Sequence, residues 1–450
     1  MVAGPVLLPD DADYPAECAT FNLLTPVRPA VAVGALTVDD VQAAVRFAAD
    51  RALPVAVLAT GHQMAGSAEG SVLINLSRMN AAALDLKRSL ARVEGGARWQ
   101  RVLDLADEHG LAPLSGTSPT VGAVGYHLGG GASPILGRRY GYAADHVHAI
   151  EVVTADGELH RATAQTERDL FWALRGGKGN FGVVTALEFK VFPVTEVYGG
   201  GLAFAGEHAA KVLHCWREWV LDLPEEMSSS VAFLRLPSVP TVPEPLRDRF
   251  VVDVRFFALR AREDAERALA PVRAIAPTVL DTVNERRYRD TGALFMEPTA
   301  PAPWVDGATA LDDFPREAAD TVLELIGPDS ATPLGFVELR LLGGALERSP
   351  AVPNAVPSRR ARLSLYAAGG SPGPPHVLRE QLITLIDALA PWTQDEIIPT
   401  FLGASQGTTT DELRAIYGRQ RYDQLTAIKT RYDPSNRFCM THNIKPDDRQ

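Results

Sequence analysis

Cysteine is scarce in this sequence. The 450 residues include three cysteines, Cys18, Cys215 and Cys439, which are odd in number and far apart. A disulfide framework and a cysteine-based metal site are therefore not indicated. The pattern is typical of a protein in a reducing compartment, and we expect a cytoplasmic location.

Long apolar runs and blocks of like charge are also missing. The first fifteen residues lack the basic start and the apolar stretch of a signal peptide, and no later run is long enough to span a membrane. The net charge of −11 is spread without acidic blocks, which argues against nucleic acid or an anionic membrane as a partner. A hydrophobic content of 46% is enough to fill two or three cores. We expect a globular protein with a small-molecule partner, and its oligomeric state stays open.

Glycine, by contrast, is concentrated in the stretch from Ser115 to Arg139. Six glycines lie between Gly116 and Gly131, and there is almost no charge before Arg138. Glycine lets backbone N–H groups come close to a ligand, so this stretch suits a long, phosphate-bearing cofactor lying along the main chain. A glycine-rich surface loop is the alternative interpretation. Interleaved apolar residues argue against disorder.

The residues before this stretch read as strand, helix and strand. Residues 29–36 and 54–59 are predicted strands, and Asp39 is the predicted cap of the helix between them. The second strand runs directly into His62 and its neighbours. Because ligands bind at strand ends in such units, His62 is predicted to stand beside a cofactor. The alternative for a lone histidine is a satisfied or exposed side chain.

A G-x-G-x-x-G pattern occurs at Gly177, Gly179 and Gly182. It follows a predicted helix and precedes a predicted strand, which is the reverse of the order that a nicotinamide-binding fingerprint requires. We therefore reject the nicotinamide interpretation. The pattern instead predicts a turn that brings Gly182 and Val184 close to a ligand or to a neighbouring strand.

The character of the chain changes near residue 194. Proline-rich joins then separate alternating strands from helices, which is typical of a second domain with a mixed or antiparallel sheet. That domain is predicted to end near Pro399. We divide the chain into 1–194, 195–400 and 401–450.

Several motifs, taken in order, indicate a family. They are RPAVAV, GHQMAG, VLINLSRMN, GTSPTVGAVGYHLGGG, RRYGYAADHV, DLFWALRGGKGNFGVVT and RYDPSNRF. Over residues 26–195 and 411–445 the chain closely resembles the flavoenzyme superfamily of vanillyl-alcohol oxidase and p-cresol methylhydroxylase, in its berberine-bridge-enzyme-like branch. The resemblance implies an α+β fold. A two-lobed FAD-binding domain of the p-cresol methylhydroxylase type would comprise 1–194 and 401–450, and an inserted substrate domain, 195–400, would be built on an antiparallel sheet backed by helices.

The resemblance also implies how FAD is held. His62 matches the histidine that such enzymes bond covalently to the 8α-methyl of FAD. The cysteine that makes a second link in many relatives is Ser118 here, so a single link is implied, as in 6-hydroxy-D-nicotine oxidase and the flavoenzymes that tailor bacterial polyketides. The other implied cofactor-binding residues are Ala59, Thr60, Gly61, Gln63, Thr117, Thr120, Gly122, Gly125, Gly182, Val184 and Asn443. No metal site is expected.

One departure from the family bears on catalysis. The tyrosine that is the usual base in relatives is Ile398 here. Tyr140 matches a tyrosine often found near the flavin in relatives, with a packed aromatic as the alternative. Glu338 and Arg340 stand two apart on a predicted strand and so share a face. Glu338 is then a second catalytic candidate, as a base, or one half of an ordinary surface pair.

Three functions are compatible with these observations. The first is an FAD-dependent oxidase that uses O₂ to oxidise a secondary alcohol or amine of a natural-product-like substrate. The second is a flavoenzyme that catalyses oxygenation or rearrangement. The third is a flavin-bearing protein with a non-redox cyclisation or binding role, which the loss of the tyrosine at position 398 keeps open.

Overall fold

The structure is a computed structural model that describes residues 2–357, 359–370 and 373–447. Within these ranges the chain forms three β-sheets, with four, five and nine strands. The two smaller sheets come from the N-terminal part of the chain and the nine-stranded sheet from its middle part. None of the described helices is both long enough and apolar enough to cross a membrane.

The four-stranded sheet contains the predicted strand–helix–strand unit. Its elements are β1 (Val6–Leu7), α1 (Tyr14–Glu17), β2 (Val31–Gly34), α2 (Val38–Asp50), β3 (Val55–Leu58) and β4 (Val72–Asn75). The strand order is β1-β2-β4-β3, with β2, β4 and β3 parallel and β1 antiparallel at one edge. One apolar face of α2 is buried with this sheet, because Val41, Ala44 and Val45 recur at helical spacing.

The predicted cap of α2 is wrong. The cap is Thr37, whose hydroxyl accepts a hydrogen bond from the backbone N–H of Asp40 at 3.2 Å. The Asp40 carboxylate accepts one in return from the N–H of Thr37 at 3.2 Å. This reciprocal pair satisfies two free N–H groups of the first turn, so the helix begins at Val38 and Asp39 lies inside it.

The five-stranded sheet is antiparallel and contains the glycine-rich stretch between its strands. Its elements are β5 (Ala82–Asp85), β6 (Leu90–Glu94), α3 (Trp99–Asp107), α4 (Ala123–Leu128), α5 (Gly137–Tyr140), β7 (Val147–Val153), β8 (Leu159–Thr163), α6 (Arg168–Leu174) and β9 (Val183–Lys190). The strand order is β5-β6-β9-β7-β8. The stretch from Ser115 to Arg139 is therefore not wholly irregular, since it folds into the two short helices α4 and α5.

The nine-stranded sheet confirms the predicted antiparallel sheet backed by helices. Its elements are β10 (Glu196–Ala205), α7 (Ala209–Trp219), β11 (Met227–Leu236), β12 (Arg249–Ala258), α8 (Arg262–Arg273), β13 (Thr278–Asp281), β14 (Asn284–Arg287), β15 (Trp304–Leu311), α9 (Arg316–Ile326), β16 (Phe336–Leu341), β17 (Leu363–Gly370), α10 (Pro375–Ala388) and β18 (Thr393–Gln394). Every recorded pairing in it is antiparallel. The central order is β10-β12-β11-β16-β17-β15.

The two faces of this sheet differ in chemistry. Alternate residues such as Val254, Val231 and Leu339 form one core with helices α7 to α10. The residues between them point the other way, because side chains alternate along a strand. We call this second side the polar face, and its ionisable or hydroxyl-bearing residues are Ser230, Asp253, Arg255, Asp306, Glu338, Arg340, Ser364 and Tyr366.

The C-terminal part of the chain packs on the N-terminal part. Its helices are α11 (Thr410–Tyr417) and α12 (Arg419–Tyr432). Lys429 of α12 is fully buried, and its ammonium donates to the Asn180 carbonyl at 2.7 Å and to the Asp433 carboxylate at 2.6 Å. Helix α12 therefore contacts the segment before β9, while the domain boundaries at 194 and 400 stay predictions.

We expect Asp433→Asn to destabilise the protein by about 3 to 5 kcal/mol, because it leaves the buried Lys429 ammonium without its carboxylate. The measurement is the free energy of unfolding from urea denaturation. Arg431→Ala is the matched control, since Arg431 lies on the same helix and forms an exposed pair with Asp169 at 3.6 Å. Its cost should be at most about 1 kcal/mol. Equal losses in the two variants would contradict this account of the tail.

Candidate active site

His62 lies just beyond the end of β3, held between aromatic and hydroxyl groups. Its ring stacks on Phe21 with the centroids 3.9 Å apart. Its Nδ1 is 2.9 Å from the Thr60 hydroxyl, and its Nε2 is 3.2 Å from the Thr120 hydroxyl. Thr120 in turn lies 2.9 Å from the Ser118 hydroxyl. The fold thus joins four residues that the sequence predicted at the cofactor.

The imidazole of His62 is held neutral. Burial, with a smaller contribution from the nearby charge of Arg98, lowers the pKa of His62 to about 4. At pH 7 one ring nitrogen therefore stays unprotonated, and this neutral form of histidine is the one that can act as a nucleophile.

The glycines around His62 have different reasons for being there. Gly61 has a φ of +70°, and its carbonyl accepts from the N–H of Phe21 at 3.2 Å. A side chain at Gly61 would meet the backbone of Thr20 at 2.7 Å, so close chain packing requires this glycine. Gly122 is the cap of α4, and a Cβ added there would lie 3.5 Å from the methyl group of Thr60 and 4.0 Å from Ala59, which is ordinary contact.

Gly125 and Gly179 instead border open space. A Cβ atom added at either position would meet nothing within 4 Å. Gly125 lies on α4, on the exposed side of the glycine-rich stretch. A flat ligand can therefore approach the main chain at these two positions.

The predicted turn at Gly182 packs on a neighbouring strand. Gly182 has a φ of +155°, and a Cβ there would lie 2.5 Å from the carbonyl of Val153 in β7. Val184 is 3% exposed and belongs to the core. Of the two alternatives given by the sequence, the structure records contacts for the neighbouring strand, and the FAD contact of these residues stays a prediction.

The C-terminal tail brings unsatisfied polar atoms to this region. Asn180 holds the tail, because its amide donates to the His442 carbonyl at 3.1 Å and accepts from the N–H of Ile444 at 2.9 Å. Between these anchors, Asn443 Oδ1 and His442 Nδ1 are buried without a protein partner. Buried polar atoms are nearly always paired. These two atoms therefore indicate a ligand with its own donors and acceptors.

Lys178 lies between Gln63 and Pro399 and was not singled out from the sequence. Its ammonium donates to the Gln63 side chain at 3.3 Å and to the Pro399 carbonyl at 3.1 Å. Its φ of +57° is in the region that favours glycine. Burial lowers the pKa of Lys178 to about 8, against the opposing effect of Asp306. A lysine in the middle of the GGKGNFG motif was the available signal.

Glu338 lies on the polar face, and both of its carboxylate oxygens accept hydrogen bonds. One carboxylate oxygen accepts from the Ser230 hydroxyl at 2.7 Å and from Arg255 at 3.0 Å. The other accepts from Arg340 at 2.6 Å. Burial alone would raise the pKa of Glu338, but the two arginines and the Ser230 hydrogen bond outweigh it and the pKa is lowered. Glu338 is 2% exposed, so the surface-pair alternative does not apply.

Further acidic and phenolic groups on this side were not singled out from the sequence. The Tyr366 hydroxyl donates to the Asp306 carboxylate at 2.8 Å. Burial raises the pKa of both groups. The pKa of Glu297, whose side chain is exposed, is also raised because surrounding protein atoms reduce its hydration, against opposing effects of Thr117 and Arg340. Strand alternation in WVDGATAL and RLSLYAAG was the signal for Asp306 and Tyr366, but it did not show which face would meet the cofactor.

The polar face lies close to His62, because Phe21 contacts both. Phe21 stacks on His62 and also meets the Trp304 ring edge-on at 5.6 Å. Trp304 begins β15 and shares its face with Asp306, two residues on. Gln63, next to His62, donates to the Thr400 carbonyl at 2.8 Å.

Tyr140 has a different environment. Its ring packs on Phe192 with the centroids 4.1 Å apart. Its carbonyl accepts from His146 Nε2 at 2.7 Å. This is the environment of the packed-aromatic alternative, and a catalytic role for Tyr140 stays a prediction.

Family models match the two parts of the chain that contain His62, the glycine-rich stretch and Asn443. The model described as FAD binding domain matches residues 29–163, and the model described as berberine and berberine like matches residues 409–445. The first segment contains His62 and the glycine-rich stretch, and the second contains Asn443. The chain is an FAD-linked oxidoreductase that resembles the berberine-bridge-enzyme-like family.

Individual relatives agree with this assignment. The chain is 28% identical to (R)-6-hydroxynicotine oxidase of Paenarthrobacter nicotinovorans, over 99% of this chain and 97% of the relative. It is 33% identical to xylooligosaccharide oxidase of Thermothelomyces thermophilus, over 50% of this chain and 48% of the relative. The crystal structure of 6-hydroxy-D-nicotine oxidase from Arthrobacter nicotinovorans superposes with a TM-score of 0.84 at 26% identity, covering 99% of both chains.

The residues of this site fit FAD. The wall offers a neutral imidazole at His62, open main chain at Gly125 and Gly179, and two buried polar atoms in the tail that lack protein partners. A long cofactor with many donors and acceptors would satisfy these groups together.

Proposed function

We propose that this protein is an oxidase that holds FAD covalently through His62 alone and passes electrons to O₂. The observation that carries the covalent link is the neutral imidazole of His62, held by Thr60 and Thr120 at the end of β3. Ser118 stands where many relatives have the second linking residue, a cysteine. A hydroxyl is a much weaker nucleophile than a thiolate at neutral pH, which supports a single link.

We propose a secondary alcohol or amine of a natural-product-like molecule as the substrate. Bound FAD supplies the acceptor for a hydride from a carbon that carries oxygen or nitrogen. The polar face supplies donors for such a substrate, since Arg340 Nε is buried without a partner in the described structure. The relatives named for hydroxynicotine and for xylooligosaccharides act on compounds that contain such carbons, which supports this class.

Ile398 takes no part in proton transfer. It is 1% exposed and lies in an apolar cluster with Val356 and Leu342. The chain must therefore hold a proton acceptor elsewhere if it oxidises an alcohol or amine. Glu338 as that acceptor stays a prediction, because its lowered pKa and its three hydrogen bonds suit a group that orients Arg255 and Arg340.

We expect acid-precipitated wild-type protein to give a yellow pellet and His62→Ala a colourless one, because only a covalent bond retains the flavin in acid. His109→Ala is the control, since His109 is exposed beyond the end of α3, and its pellet should be as yellow as wild type. A yellow His62→Ala pellet would show a link elsewhere, and a colourless wild-type pellet would leave only dissociable FAD.

We expect the wild type to release one H₂O₂ for each substrate oxidised across a panel of partly apolar secondary alcohols and amines. The measurement is peroxide together with product by mass spectrometry. A product that gains oxygen without peroxide would favour oxygenation instead. Flavin that no member of the panel reduces would favour the non-redox or binding role.

We expect Glu338→Gln to raise KM about tenfold or more, because the carboxylate orients Arg255 and Arg340 on the polar face. The factor by which kcat falls should be smaller than the factor by which KM rises. The pH profile of kcat should keep its acidic limb. Glu285→Gln, at an exposed strand position of the same sheet, is the control and should behave as wild type. If kcat instead falls by about 100-fold and the acidic limb of its pH profile disappears, Glu338 is the base.

A further inference from the structure

We propose that Tyr366 and Asp306 form the proton-accepting pair of the oxidation, a role that rests on the proposed function. The base expected at position 398 is absent, and this pair lies on the polar face. Neither residue was assigned a role by the sequence.

The pair is built into two neighbouring strands. Tyr366 of β17 pairs with Ala308 of β15, and Asp306 lies two residues before Ala308 on the same face. The phenol and the carboxylate are therefore diagonal neighbours, and their hydrogen bond is 2.8 Å long. The phenol is half-buried, whereas the carboxylate behind it is 7% exposed. Tyr366 can thus meet a substrate, and Asp306 can act through it.

The phenol of Tyr366 lies next to the segment in which Ile398 replaces the usual tyrosine base. Tyr366 packs near the ring of Phe401, with the centroids 6.1 Å apart. Phe401 follows Ile398 closely, and Thr400 between them bonds to the glycine-rich wall, its N–H donating to the Gly129 carbonyl at 2.9 Å. The phenol of β17 therefore lies beside the segment 398–401, in which the expected tyrosine is replaced by Ile398.

The proton transfer balances without an additional reactant. The substrate O–H or N–H gives its proton to Tyr366 Oη, and the phenol gives its own proton to Asp306 Oδ2. Bound FAD would supply the acceptor for the hydride from the C–H bond next to that oxygen or nitrogen, and a C=O or C=N bond would form as that C–H bond breaks. Asp306 later releases its proton to water, so the protein ends as it began.

Several charged groups set the pH range of this pair. Lys178 faces Asp306 from the turn before β9, while Arg340 of β16 and Glu297 face Tyr366. Burial raises the pKa of Asp306, and Tyr366 and Lys178 oppose that rise. A base works in its ionised form, so the rate should fall as the pH falls through the raised pKa of Asp306.

The closing experiment compares Tyr366→Phe and Asp306→Asn with wild type in the FAD-loaded enzyme. We expect Tyr366→Phe to lower kcat by about 100-fold or more with KM changed only a few fold, in line with loss of general base catalysis. Asp306→Asn should lose the acidic limb of the kcat profile. Tyr198→Phe is the matched control, because Tyr198 also donates to a carboxylate, that of Glu266, but on the helix-covered side of the same sheet.

A second readout does not depend on turnover. The carboxylate of Asp306 raises the pKa of Tyr366, so Asp306→Asn should lower it. Ultraviolet difference titration detects this change, with Tyr366→Phe identifying the signal of that residue. A Tyr366 titration that Asp306→Asn does not move would overturn the pair.

The two proposals fail in different ways. If wild type oxidises a substrate and Tyr366→Phe keeps kcat within about threefold, or Asp306→Asn keeps the acidic limb, the pair is not the base. If wild type reduces its flavin with no member of the panel, the oxidase proposal fails, and the proton-accepting role fails with it. Pellet colour equal to wild type in both variants confirms that loss of flavin is not the cause of a lowered rate.

Discussion

The alternation of side chains in one antiparallel sheet is the constraint on which the rest of this structure depends. Along β12, Val254 and Phe256 point to the helices, while Asp253 and Arg255 lie on the polar face. The helices α7 to α10 can bury the first set because it is apolar. The second set must then find partners among neighbouring strands, since an unpaired buried charge is very costly. The same pleat therefore produces both a core and a charged wall.

Charge compensation decides what this wall can do. Asp253, Arg255, Glu338 and Arg340 form one continuous ion-pair chain with contacts of 2.6 to 3.0 Å. For Glu338 the two arginines outweigh burial and lower the pKa, which weakens this carboxylate as a base, whereas for Asp253 burial outweighs Arg255 and raises the pKa. Asp306 has a phenol as its recorded side-chain partner and lies where burial raises its pKa. An acid with a raised pKa is the better proton acceptor, so the sheet separates binding from proton transfer.

Segments far apart in the sequence meet around His62 and the glycine-rich stretch, because each segment is held by its own hydrogen bonds or ring contacts. Asn180 holds the tail around Asn443, and Lys429 holds the end of α12 against the chain before β9. Thr400 bonds to the glycine-rich stretch, and Phe21 links His62 to Trp304. These contacts join parts of the chain that are hundreds of residues apart. The site is therefore a product of tertiary packing around local motifs.

The sequence by itself indicated the family resemblance and, through it, the α+β fold and the cofactor-facing residues around His62, because short local motifs carry that resemblance. It also located the strand of Glu338 and Arg340. The predicted cap of α2, Asp39, was two residues too late, since Thr37 and Asp40 satisfy each other's backbone N–H groups across the first turn. Only the tertiary structure decided that Glu338 accepts hydrogen bonds from two arginines and that Asp306 accepts one from Tyr366. Hydrogen bonds between strands depend on register, and register is set by how whole strands pack rather than by any short pattern of residues.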